Sequence, residues 1–246
     1  MRKLLPALLL ALVMLSPHLA WAQSVTLDMG SSPSTSSAAR VIQLIVLMTV
    51  LSLAPSILIV MTSFMRIVIV LSFLRSAIGL QQTPPNQVLV SLALFLTMFI
   101  MAPAFEQSYN EGLKPLMENE ITQEEALEKI AMPFHVFMRE HVRDKDVKLF
   151  ADMSPNLTIE KPEDTPYRIL VPAFMISELK RAFEIGFLLF IPFIIIDMLV
   201  ASVLMAMGMM MLPPVMISLP FKLIFFVLVD GWYMLCGSLI KSFGTV

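Results

Sequence analysis

Three ionisable side chains interrupt long apolar runs: Asp197 in one, Lys222 and Asp230 in the next. A charge at bilayer depth costs a few kcal/mol or more, so it faces a partner, a bundle interior or water. Two further charges belong with them. Arg66 reads first as an anchor whose stem lies along the membrane while its head reaches the cytoplasmic surface. The alternative for it is burial against an acid. Glu178, in Ser177-Glu178-Leu179-Lys180, reads as a solvated residue near the positive end of a helix dipole. Its sharper reading is an ion pair with Lys222 across a subunit boundary, with Asp197 the competing partner for that lysine. Asp230 precedes Gly231-Trp232 and fits a local helix-packing acid.

The usual catalytic constellations are missing from the sequence. It contains no GxxxxGK[ST] loop, no HExxH and no GxSxG. His135 and His141 are six residues apart and do not share a helical face as i, i+4 ligands would. The single cysteine, Cys236, excludes an intrachain disulfide and a Cys-based zinc cluster, and reads as a small packed residue. A net charge of -2 gives no bulk field to recruit nucleic acid. No cofactor, metal or enzymatic activity is expected.

One more pattern is chemically distinctive. The chain has 21 Met among 246 residues and only 8 Gly. Six of those methionines fall between Met205 and Met216, and three are adjacent: Met209, Met210 and Met211. Gly208 stands before the triplet and Pro213-Pro214 after it, so a short loop is presented between two breaks. Three consecutive side chains cannot all face one side of a regular helix or strand. Met is a flexible, uncharged gap-filler, so taken alone the loop reads as lipid-facing or core filling.

The elements that carry these residues are mostly apolar. Hydrophobic residues make up 57% of the chain and charged ones 15%, against about 45–50% and about 25% in ordinary soluble domains. Residues 1–22 read as a secretory signal peptide: Arg2 and Lys3, an apolar run from Leu4 to Leu15, then the small-x-small site Ala20-Trp21-Ala22, with Gln23 opening the mature chain. Residues 23–40, rich in Ser and Thr, are expected to form a flexible N-terminal lead-in. Residues 41–105 hold a first helical hairpin, with apolar segments Val41–Met61 and Val88–Phe105. Pro55 is expected to kink or break the first of these. The short loop between them carries Arg66 and Arg75 and no acid, which marks it as cytoplasmic. Residues 106–181 hold 25 of the chain's 36 charges and form a water-exposed insert on the outer side. Residues 182–246 form a second hairpin, with segments Phe183–Met205 and Val215–Ile240. Their charges and prolines require cover by protein or a water-filled cavity.

Within the insert, Thr122-Gln123-Glu124-Glu125 is a capping box that starts a helix. Apolar residues recur at Leu127, Ile130, Phe134, Phe137, Met138 and Val142, giving one stripe. Pro133 is expected to kink this helix, and Lys145 to Phe150 to continue it. Phe137 and Phe150 fit both the core of one subunit and an oligomer contact.

The stretches PAFMISELKRAFEIGF at residues 172–187 and PFKLIFFVLVDGW at 220–232 resemble the two signature blocks of the FliP family of flagellar type III export-gate proteins. MTSFMR at 61–66, TPPNQV at 83–88 and MAMGMMMLPP at 205–214 are similar to other blocks of that family. The resemblance runs from about residue 41 to 246 and is weakest in 23–40 and 106–165. The family's injectisome relatives usually lack the cleaved signal and the N-terminal extension, so both favour the flagellar branch.

The resemblance implies a mainly α-helical integral membrane subunit without enzymatic activity, with four hydrophobic segments after a cleaved signal. It implies five copies winding with FliQ-like and FliR-like subunits into a closed cone in the bacterial inner membrane. That cone passes unfolded flagellar proteins, with FlhA-like and FlhB-like proteins beneath it and a FliO-like protein assisting assembly. It further implies that much of the apolar sequence sits above the bilayer plane, and that Met209, Met210 and Met211 line a pore gasket. The competing class, a secondary transporter or ion channel, fits the intramembrane charges but expects two corresponding halves. No internal repeat is evident here.

Overall fold

The computed structural model describes residues 35–154, 164–209 and 212–244. The signal residues Ala20, Ala22 and Gln23 lie outside the described residues, as do Met210 and Met211. The chain divides into two units, residues 1–50 and 51–246. Of the first, the described part is the opening of helix α1 (Thr35–Val60). Of the kink or break expected at Pro55, the helix shows no end there: α1 continues to Val60.

The second unit is built on two helices, α2 (Phe64–Ile78) and α8 (Tyr167–Ala206). In α2 the buried residues Ile67, Val70, Leu71, Leu74, Ala77 and Ile78 recur mainly at spacings of three and four, which makes one face apolar. Gly79 ends α2 in the left-handed region, with φ 94°, where a residue without Cβ fits. Arg75 then donates to Pro84 O at 3.1 Å and Asn86 Oδ1 at 2.6 Å, tying the turn to the start of α3 (Asn86–Ile100).

After α3 the chain bends by 61° at Met101 into a run made of α4 (Ala102–Gln107), a π-helical turn (Ser108–Leu113) and α5 (Lys114–Met117). The π turn packs on α6 (Gln123–His141). Gly112 makes this possible, since a Cβ there would lie 2.5 Å from Ile130 Cγ1, 3.0 Å from Ile130 N and 3.2 Å from Ala126 O. The expected capping box closes α6: Glu125 N donates to Thr122 Oγ1 at 3.3 Å and Thr122 N to Glu125 Oε2 at 3.1 Å. Pro133 stays within a continuous helix. Nearby carbonyls take side-chain bonds, Ile130 O from Ser108 Oγ at 2.9 Å and Ala131 O from Tyr167 OH at 3.0 Å.

Two expectations for the insert are corrected. Leu127 is 68% exposed, and Ala126, fully buried, takes the inward position because the glycine contact selects its face. Lys145–Phe150 does not continue α6. The backbone turns extended at Val142 and Arg143, and a separate helix α7 (Asp144–Asp152) begins there.

Helix α8 has 40 residues, about 60 Å at 1.5 Å per residue. It runs without a break across the charged stretch 178–184 into the third apolar segment. It ends in a Schellman arrangement: Met209 N donates to Leu204 O at 2.9 Å, Gly208 N to Met205 O at 3.0 Å, and Gly208 has φ 74°. The chain returns as α9 (Pro214–Leu228), then bends by 62° at Val229-Asp230 into α10 (Gly231–Lys241). Helix α8 is long and apolar enough to cross a membrane as one helix. The α3 segment reaches that length only as a bent pair with 102–117, and α9 only as a bent pair with α10. No strand occurs among the described residues.

The close packing at Gly112 yields a direct test. Gly112→Ala is expected to destabilise the chain by about 1–3 kcal/mol, because Cβ meets backbone atoms that cannot rotate away. Gly237→Ala, where a Cβ meets open space, should leave stability unchanged or slightly raised. Thermal unfolding of both variants in detergent checks the contrast, and equal midpoints would contradict it.

Candidate functional site

Arg66 and Glu178 form the most enclosed polar contact described. Arg66 enters from the first turn of α2, and Glu178 from α8, on the buried face that also holds Phe174 and Ser177. Nε of Arg66 donates to Glu178 Oε2 at 2.8 Å, and Nη2 to Oε1 at 2.5 Å. The side chains are 1% and 0% exposed. The remaining arm, Nη1, donates to Ser242 O at 3.1 Å and Ser242 Oγ at 2.9 Å. The guanidinium carbon lies 3.7 Å from the centre of the Phe243 ring, a cation–π contact in a dry setting. Arginine suits the position because its planar fork meets a carboxylate with two parallel bonds.

This geometry corrects two readings. Arg66 is a buried partner of an acid, not a snorkelling anchor. Glu178 pairs with Arg66 within the chain, not with Lys222. The two sequence blocks holding Glu178 and Lys222 gave no hint of an arginine 112 residues away, yet α2 and α8 lie side by side and bring it there.

Lys222 is paired with Asp197. Its Nζ lies 2.7 Å from Asp197 Oδ2 and 3.4 Å from Ala77 O, and Ser218 Oγ donates to Asp197 Oδ1 at 2.5 Å. The lysine side chain is 5% exposed and the aspartate 34%. Asp230 stands apart from these pairs. It is exposed, with φ 51°, at the bend before α10.

Aromatic packing surrounds the first pair. Phe137 stacks on Phe243 with centroids 5.9 Å apart, meets Phe174 edge-on at 6.0 Å and lies against His141 at 4.5 Å. Phe137 is 9% exposed and belongs to the core of this chain, while Phe150 is half-buried against that core. His141 Nδ1 contacts Phe137 O at 2.8 Å and Nε2 contacts Phe243 O at 3.3 Å. His135 Nε2 contacts Thr165 O at 2.7 Å and its ring meets Tyr167. Both histidines are thus held by backbone carbonyls, and no metal-competent cluster occurs among the described residues.

A third buried polar group, Asp146, was not singled out by its sequence context. Ser177 Oγ lies 2.6 Å from Asp146 Oδ2, Arg143 Nε donates to the same oxygen at 2.8 Å, and Arg143 N donates to Ser177 Oγ at 3.1 Å. The knot joins the insert to α8 one residue before Glu178. Burial pushes the Asp146 carboxyl up, but the bonds from Ser177 and Arg143 outweigh it and hold the group below its ordinary value.

The described methionines nearest the triplet flank the turn from α8 to α9. Met205, Met207, Met209 and Met216 are 61%, 55%, 46% and 69% exposed, and Leu212 and Val215 are 45% and 60%. From residue 198 to 221 there is no charge. The hairpin therefore offers an uncharged apolar tip whose base is the Asp197–Lys222 pair.

A sequence model of the FliP family matches residues 47–239. The chain is 59% identical to the flagellar biosynthetic protein FliP of Caulobacter vibrioides, over 92% of this chain and 85% of that protein. It is 57% identical to the Bacillus subtilis protein of the same name, over 87% of this chain and 96% of that one. Against the Agrobacterium fabrum protein of that name, identity is 49% over 95% and 97%.

The buried charges generate two tests. Arg66→Met and Glu178→Leu should each cost about 3–5 kcal/mol, since each strands a buried charge. The double variant Arg66→Met, Glu178→Leu should cost less than either change alone, and additive losses in thermal unfolding would contradict the pairing. For Asp146, the folded value lies below the unfolded one near 3.8, so its contribution is complete above about pH 5. That contribution is lost as pH falls through the depressed folded value. Amide protection in α7, taken as the exchange rate relative to the intrinsic rate at the same pH, should fall on acidification in the wild type, and Asp146→Asn should abolish that pH step.

Proposed function

This chain belongs to the FliP family, and from that premise we propose that it serves flagellar biosynthesis as a pore-forming subunit of the protein-export gate. Its role is mechanical, with no chemical step. Several copies, five by family resemblance, assemble with FliQ-like and FliR-like subunits in the bacterial inner membrane, above FlhA-like and FlhB-like proteins and with help from a FliO-like protein. The mature chain begins near Gln23 on the outer side, and the charged insert faces the periplasm. The cargo is unfolded flagellar protein.

The observation that carries this reading is the uncharged hairpin tip between Asp197 and Lys222. An isolated chain has no reason to expose so many large apolar side chains together. Only 11% of the apolar window of α8 is buried within the chain, which leaves surface for neighbouring copies and lipid. Around a symmetric axis, one such tip per subunit makes a collar of thioethers. Methionine suits a collar that closes to ions yet deforms around varied polypeptides, because its side chain is flexible, apolar and polarisable. No charge in the tip would bind or repel a passing segment.

Replacing Met209, Met210 and Met211 together with Ala tests this. The assembled complex should keep its mass while small ions and dyes leak through it. An assembled triple variant that stays sealed would contradict the proposed collar.

A further inference from the structure

We propose that Asp197, Ser218 and Lys222 form a positioning clamp that sets the register of the α8–α9 hairpin, and so where the methionine tip is held; this rests on the reading of the tip as a seal. The described tip residues offer little anchorage of their own. A Cβ on Gly208 would meet nothing within 4 Å, and the flanking methionines are more than two-fifths exposed. The position of the tip is therefore set by its two limbs.

Passing down from the tip, the polar side-chain bonds that join the limbs among the described residues are those of Ser218 and Lys222 to Asp197. Along α8, Asp197 lies nine residues below Ala206, about 14 Å. Along α9, Ser218 lies four residues beyond Pro214, about 6 Å. The clamp is thus close enough to the tip to control it, and too far away to line it.

The same cluster reaches a third helix. Lys222 Nζ meets Ala77 O in the last turn of α2, and Leu219 lies beside the Gly79 cap, 3.6 Å from where a Cβ would stand. Since α2 is fixed to α8 by Arg66 and Glu178, the hairpin is referenced to a rigid pair of helices.

A charged cluster does here what apolar packing cannot. Contacts between leucine-like faces are non-directional and tolerate small slides. A carboxylate that takes Ser218 on one oxygen and Lys222 on the other admits one register, and fixing register is the best-attested use of a buried polar group. The lysine is the enclosed member of the pair, so any slide of α9 would strand its charge.

The test uses the full chain in its assembled complex, in phosphatidylethanolamine–phosphatidylglycerol vesicles loaded with carboxyfluorescein. The paired replacement Asp197→Leu, Lys222→Met leaves no stranded charge. It is expected to assemble at wild-type mass and to leak dye about fivefold faster or more. Ser218→Ala, which removes one bond and no charge, should assemble and leak to a smaller extent. If the paired variant does not assemble, Ser218→Ala decides alone. A clamp variant that assembles and stays sealed while the Met209–Met211 alanine variant leaks would overturn the clamp and spare the seal. A sealed alanine variant would overturn the seal reading itself.

Discussion

Burying a guanidinium to 1% exposure is tolerable only when its donors meet acceptors and its charge meets an opposite one. Arg66 satisfies both demands at once, through Glu178 on α8 and Ser242 at the end of α10, with Phe243 over its face. Those partners come from widely separated parts of the sequence. The pair can exist only after α2, α8 and the C-terminal turn have come together, and once formed it discriminates against other arrangements of three apolar helices. Phe137, Phe174 and His141 then fill the space around it, and Ser177 hands the constraint on to Asp146 and the charged insert. One ion pair thus fixes how the contiguous apolar core around it is arranged.

The same economy explains the outside of the molecule. Buried polar contacts hold the frame, and large apolar side chains are left facing outward along α3, α8, α9 and α10, among them Phe99, Phe187, Leu199 and Leu228 at 62% exposure or more. Lipid accounts for part of such a surface. It does not account for a 40-residue helix that mixes exposed charges such as Lys180 with apolar turns, nor for helices bent near 60° partway along. On the proposed reading, subunits stack against one another and each copy covers the irregular backbone of the next.

Local signals were the legible ones. The capping box at Thr122, the break at Gly208 and the unease of Asp197 and Lys222 in apolar runs all arise from neighbouring residues. What escaped depends on contacts that no window contains. Arg66 looked like a surface anchor because its acid lies 112 residues away. Leu127 looked like core because periodicity does not know that Gly112 will press on Ala126. The continuity of α8 was hidden by its charges, which suggested water, whereas helix propensity across 178–184 is high and neither Pro172 nor Pro192 breaks it. Asp146 was invisible among the insert's many acids until Ser177 enclosed it. The family blocks were readable in the sequence because they hold the residues that meet at a distance, although the blocks alone did not say which residue meets which.

The central claim is that this chain completes its apolar surfaces with copies of itself and with small helical neighbours around a pore. Native mass measurement of the complex extracted gently from membranes tests that most directly. The account predicts one closed species containing several copies of this chain together with small membrane subunits. A monomer or an isolated dimer as the dominant species would contradict it.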